Sequence, residues 1–429
     1  MLGSGLLMSS IMVIAIAGAD SGSFVFEPQG RAIGRGSDPQ LAVRASGDLF
    51  LLRIKDRNIL LQTSPDGGDS FDEGLRVNDI GHVSSHSENT PIMVVRSMRE
   101  FYVVWTAGEG TREDDERMAL RLARSTDWGR SFMKSVSIDP TGGASQAFYT
   151  MAVGPDGAIY VAWIDGRDRG QGKQGRSALY VAKSTNRGEA FEPSVRVALN
   201  VCPCCRPSLA FSDAKTVHIG WRGILNDDIR DVFVTTSTDG GTTFGSQARV
   251  AEDNWQLNGC PHSGPSLATL SGRLFVAWRT VSGNRSRLYL ASSGDNGARF
   301  STKTEADANL VDANHPRLTT VDGSLGLVFQ AREAVAQHGW SRFDIYFRQV
   351  DKTGALSALE RLGHASGSAT NPTLLFERPD HLFVAWTEGT DDGPKVVLAR
   401  GRRSALKTTP SGAAAGANNT LTSQRRQEP

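Results

Sequence analysis

The chain has 429 residues, of which 39% are apolar and 22% charged, and its formal net charge is +1 at pH 7. Nucleic-acid binding usually leaves a basic surplus, so this even balance argues against a nucleic-acid partner. The length exceeds one ordinary domain and predicts two domains or one repeat architecture; 46 glycines fit a fold with many tight turns.

Residues 1–19 read as a signal peptide. Leu6 to Ala17 is an apolar run too short to span a bilayer comfortably, and Ala17-Gly18-Ala19 offers small residues for cleavage before Asp20, although no Lys or Arg precedes the run. The expected setting is secreted or periplasmic, with no integral membrane segment once the leader is removed. Residues 20–403 form the expected folded domain. Residues 404–429 are rich in Ala, Gly, Ser, Thr, Asn and Gln. Such a tail buries too little apolar surface to offset its ordering entropy, which predicts disorder.

Within the folded domain the pattern Ser-x-Asp-x-Gly-x-x-Phe recurs. It occurs at Ser64-Asp66-Gly68-Phe71, Ser125-Asp127-Gly129-Phe132, Ser237-Asp239-Gly241-Phe244 and Ser293-Asp295-Gly297-Phe300. A fifth copy, Ser184-Asn186-Gly188-Phe191, substitutes Asn for Asp, and the steps between the five starts are 61, 59, 53 and 56 residues. The short carboxylate or amide bonds nearby backbone N–H groups, glycine supplies a backbone geometry other residues resist, and the aromatic ring folds back into a core. These Asp residues are therefore structural.

A second repeat interleaves with the first. Apolar strands run Phe50-Leu51-Leu52, Phe101 to Trp105, Ile159 to Trp163, Val217 to Trp221, Leu274 to Trp278, Leu325 to Phe329 and Leu382 to Trp386. A shorter strand precedes each, opening at Pro39, Pro91, Tyr149, Pro207, Pro265, Pro316 and Pro372. The pattern predicts an all-β propeller of seven four-stranded antiparallel blades, with six as the alternative if one unit is absorbed irregularly. Phe24-Val25-Phe26-Glu27-Pro28 parallels Phe191-Glu192-Pro193, so the N-terminal strand is expected to close the ring as the outer strand of a blade made from the C-terminus.

All four cysteines lie in two matching segments. Cys202-Pro203-Cys204-Cys205-Arg206-Pro207 aligns without gaps to Cys260-Pro261-His262-Ser263-Gly264-Pro265, on the connections entering two neighbouring inner strands. Cys202, Cys204, Cys205, Cys260 and His262 form a candidate soft-metal site for zinc or copper. A Cys202–Cys260 disulfide, with Cys204 and Cys205 bridged to each other or left reduced, is the rival reading, favoured by export and an even cysteine count, and unpaired thiols are the third. His86 and Glu88 occupy the positions matching Cys202 and Cys204, and His315 directly precedes Pro316.

The Ser-x-Asp-x-Gly-x-x-Phe repeats resemble those of the sialidase superfamily, also called BNR or Asp-box propellers, from about Phe24 to Arg402, and the chain looks like a divergent member. The resemblance implies a carbohydrate or other anionic ligand in the axial funnel, bound or hydrolysed. Sialidases hold the substrate carboxylate with three arginines and use an Asp acid/base and a Tyr nucleophile assisted by Glu. The first of those arginines belongs to a Phe-Arg-Ile-Pro motif, and here the stretch is Gly36-Ser37-Asp38-Pro39, with Ser37 in the arginine place. Arg167, Arg222, Arg279 and Arg332 lie at strand ends facing the funnel, and with Arg206 they are the candidate ligand-binding set. Ion pairs with Asp165, Glu333 and Glu388 are their structural alternative. Asp56 and Tyr149 are the candidate catalytic residues, both matched loosely. Two functions stay open: a sialidase-like carbohydrate-binding or hydrolysing propeller, and a non-catalytic propeller that binds a ligand or protein partner and carries a Cys/His metal or redox site.

Overall fold

The computed structural model describes residues 23–404, apart from 28–29, 45, 81–82, 84–85, 98, 109–117, 141–144, 170–176, 283–284, 322, 335–340 and 363–366. The expected leader and nearly all of the expected tail lie outside the described residues. No helix among those described is long and apolar enough to cross a membrane.

Seven antiparallel sheets make the molecule. Blade 1 comprises Ser37–Val43, Leu49–Lys55, Asn58–Ser64 and Leu75–Arg76, and each later blade repeats that order from inside to outside. The inner strands of blades 2 to 7 are Ile92–Val95, Gln146–Val153, Ser208–Phe211, Ser266–Leu270, Val311–Val321 and Ser368–Arg378. Each inner strand touches the next, and that of blade 7 touches that of blade 1, so the sheets ring one axis. Seven blades form, as the seven apolar strand pairs predict.

Packing explains the period. Seven apolar clusters lie one between each pair of neighbouring blades. Trp105, Trp163, Trp221, Trp278 and Trp386 lie within the second strands, which run on past them, and are buried in these seams. Phe71, Phe132, Phe191, Phe244 and Phe300 each pack from a turn onto the seam with the preceding blade. A blade's apolar faces are therefore satisfied only by its neighbours.

The Ser-x-Asp turns form as their chemistry dictates. Ser237 Oγ donates to Asp239 Oδ1 at 2.7 Å and accepts from the Gly241 N–H at 2.8 Å, and Asp239 also receives the Thr243 N–H and hydroxyl. Gly241 sits at φ +85°, where Tyr160 leaves a Cβ little room. The Asn186 copy makes the same pair of bonds through Ser184.

Closure uses both termini. Phe24–Phe26 and then Arg31–Arg35 pair along one strand of blade 7, Lys395–Arg403, so the N-terminal segment supplies that blade's outer edge in two pieces.

Candidate functional site

The topology gives the propeller two unlike faces. Turns from first to second strand and the Ser-x-Asp turns lie on one; hairpins from second to third strand and the segments leading into each inner strand lie on the other. The two Cys-Pro segments are lead-in segments of blades 4 and 5, so they share the second face close to the axis. Four residues at one repeat position there, Asp38, Phe148, His315 and Asn371, have φ between +50° and +55°. Each accompanies a break in pairing register at the start of its inner strand. Non-glycine residues in this region are strained, and each bend sits where the chain enters its inner strand.

Glu88 ties those segments together. Its side chain is fully buried; Oε2 accepts the Arg206 N–H at 3.1 Å and the Gly264 N–H at 2.8 Å, and Oε1 lies 3.5 Å from His315 Nε2. His315 Nε2 is also 2.9 Å from the His262 carbonyl oxygen. One carboxylate thus joins the lead-in segments of blades 2, 4, 5 and 6. The His86 ring packs on the His262 ring with centroids 4.4 Å apart.

Beside this brace lie the thiols. All four cysteines are free, so the Cys202–Cys260 bridge is not formed. Cys202, Cys204 and Cys205 are buried, with Phe148 and Ile224 packed against them, whereas Cys260 is exposed. The Cys202 and Cys204 sulfurs are 3.7 Å apart. The donor atoms of Cys202, Cys204 and Cys205 all lie within 4.8 Å of one another, and so do those of Cys204, Cys260 and His262. Cys204 belongs to both sets.

The three buried thiols titrate as a group. Cys202 accepts hydrogen bonds from Cys204 and Cys205, and with help from Arg222 its pKa falls. Bonding to Cys202, with burial added, pushes Cys204 up; burial first, then Cys202, pushes Cys205 up. Burial and then the neighbouring His86 lower the pKa of His262, which favours the neutral imidazole that a metal needs.

The candidate arginines are more deeply committed than their strand-end positions suggest. Arg222 is buried, and its guanidinium donates to the carbonyl oxygens of Ser263, Arg230 and Arg279 while lying over Trp255. Arg167 pairs with Asp139 and Asp165, each at 2.6 Å, and stacks on Tyr180. Arg279 donates to Ser286 Oγ, Arg332 lies over Phe343 and 3.8 Å from Asp312, and Arg206 is buried beside Glu88. Of the proposed carboxylate partners, Asp165 does pair with Arg167, while Glu333 pairs with Arg361 and Glu388 with Lys395.

The candidate catalytic pair lies in two unlike settings. Asp56 is an exposed residue of the hairpin between Leu49–Lys55 and Asn58–Ser64. Tyr149 is buried in the seam between blades 2 and 3, and burial pushes its phenol well above the usual tyrosine value.

Sequence reasoning missed a cleft of about 400 Å³ beside Cys260, lined by residues that include Arg169, Pro203, Arg230 and Asn258. Arg230 is nine-tenths buried and its Nη1 has no hydrogen-bond partner. Its place outside the repeat, after a short 3-10 turn at Asn226–Asp228, gave no periodic signal.

Comparison with known proteins finds no matching family model and no matching curated protein. Solved structures do match. An ulvan lyase of polysaccharide lyase family PL25 superposes with a TM-score of 0.56 at 10% identity, covering 87% of this chain and 95% of its own. A protein of unknown function from Dyadobacter fermentans gives 0.52 at 12%, covering 88% and 97%. The NanB sialidase from Streptococcus pneumoniae gives 0.49 at 10%, covering 89% and 94%. What this chain shares with the ulvan lyase and the Dyadobacter protein is the fold. At such identities chemistry has to be argued from the site itself.

Proposed function

We propose that this chain is an exported, non-catalytic binding propeller whose axial face holds a soft metal ion, copper or zinc, on Cys202, Cys204 and Cys205. The observation that carries the reading is the convergence of three buried sulfurs within 4.8 Å of one another on the face where the lead-in segments meet. Three thiols crowded without a bridge are poorly explained by packing alone, and soft thiolates select copper(I) and zinc. The burial of Tyr149 and the internal bonding of Arg167 and Arg222 weigh against a sialidase-type active centre. Export rests on the leader-like residues 1–19 and suits a protein whose thiols require protection or an ion.

Protein purified without chelator is expected to carry about one copper or zinc ion per chain, the stoichiometry of one closed thiolate site. Cys202→Ser and Cys205→Ser are expected to lose that ion while keeping the wild-type circular dichroism spectrum. Metal-free protein with four titratable thiols that takes up neither ion would overturn the reading.

A second reading, an acidic carbohydrate as ligand, is favoured by the cleft holding Arg169 and Arg230. Bidentate guanidinium donors suit carboxylate and sulfate groups, and the ulvan lyase with the same fold is a polysaccharide lyase. Calorimetric titration with glucuronate-containing oligosaccharides is expected to show binding that Arg230→Gln weakens; absence of heat at millimolar ligand removes this reading.

A further inference from the structure

The two donor sets differ in one respect that single-site binding leaves unexplained. Cys202, Cys204 and Cys205 are buried, whereas the set of Cys204, Cys260 and His262 runs from a buried thiol through a half-buried imidazole to an exposed thiol. The cleft opens the Cys260 end of this second set to solvent. Because Cys204 is a member of both, an ion could shift between them without ever losing that sulfur.

We infer that the axial face is a two-position loading device for copper(I): Cys204, Cys260 and His262 receive the ion at the cleft, and Cys202, Cys204 and Cys205 retain it. This rests on the metal-binding reading above. Copper(I) is the class favoured because the inner set offers three sulfurs and, among the described residues, no fourth Cys, His, Asp or Glu donor joins that group. Zinc in a closed site asks for four ligands, whereas copper(I) prefers soft sulfur over imidazole. That preference sets the direction of transfer, from two sulfurs and a nitrogen to three sulfurs.

The transfer is ligand exchange without a change of oxidation state. On capture, Cys204 and Cys260 give their thiol protons to water and His262 binds as the neutral ring. On transfer, Cys202 and Cys205 bind as thiolates, any thiol proton either one carries passing to water, Cys260 regains a proton, and His262 leaves as it came. The finished site has three thiolates around a single positive charge, an excess of two negative charges. Arg222, buried and with its carbonyl oxygen accepting the Cys202 N–H at 2.8 Å, brings a guanidinium on the adjoining strand to set against that excess.

The experiment offers reduced full-length protein copper(I) as its bicinchoninate complex and follows the loss of that complex's colour, in time and at equilibrium. Wild type is expected to load fully. Cys260→Ser and His262→Ala are expected to reach nearly the same equilibrium occupancy but to load more slowly by about tenfold, the scale on which losing a supporting ligand group acts. Cys205→Ser is expected to capture quickly and hold weakly. Unchanged loading rates in both Cys260→Ser and His262→Ala would overturn the two-position scheme while leaving the metal site intact. Failure of the wild type to take any copper(I), with all four thiols reduced, would instead sink the metal-binding reading itself. Circular dichroism of each variant separates misfolding from slow loading.

Discussion

His218 shows how completely a single side chain can be fitted into this fold. Its ring nitrogens lie 2.8 Å from the hydroxyls of Ser212 and Thr236, and burial lowers its pKa to about 4. An unfolded histidine titrates near about 6.5, so the folded form takes up its proton less readily. The stabilisation is therefore complete above pH 6.5 and drains away as the pH falls toward 4, by about 3 kcal/mol in all. Urea unfolding is expected to show this decline between pH 7 and 4.5, and His218→Gln is expected to flatten it. An unchanged slope in the variant would assign the acid sensitivity elsewhere. At this scale the sequence was legible in its cysteines, because the two Cys-Pro segments align without a gap and so had to occupy equivalent places. It was misleading in its arginines. A strand-end position told which face Arg222 occupies but not its depth, and the Trp255 to Gly264 stretch that covers it belongs to the next blade's lead-in segment.

Among the elements, the strands and Ser-x-Asp turns were readable and the lead-in segments were not. Turns obey local chemistry: Ser237, Asp239 and Gly241 bond one another over five residues, so their pattern survives in the sequence. The lead-in segments obey the axis instead. Asp38, Phe148, His315 and Asn371 accept unfavourable backbone angles because neighbours from other blades hold them, and no local pattern announces that. The Glu88 brace is the clearest case, since its partners at Arg206 and Gly264 lie 118 and 176 residues away. Glu88→Ala leaves two buried N–H groups without an acceptor and His315 without its carboxylate, and is expected to destabilise the fold by roughly 3 kcal/mol. Because the same segments carry Cys202 to Cys205 and Cys260 to His262, the variant is also expected to bind copper(I) less tightly. Wild-type stability in that variant would show the brace to be dispensable.

For the whole molecule, seven apolar strand pairs became seven blades because each seam needs a face from either side, and the ring leaves none unpaired. The N-terminal strand matters beyond its length. Deleting residues 23–35 would strip the outer edge from Lys395–Arg403 and expose an open ladder. The truncated chain is expected to melt at a lower temperature and to associate in size-exclusion chromatography; a monomer of unaltered melting temperature would refute the role of this clasp.

That clasp also fixes an order of events in synthesis. Phe24 is opposite Arg403, so the earliest described residues of the polypeptide wait for nearly the last before either has its partner. A ribosome can release six blades' worth of paired strands, yet the ladder that locks them must form after translation of that partner strand. Until then the waiting segment stays accessible to chaperones, proteases and other copies of the chain, which makes the interval before closure the most exposed moment in the molecule's life.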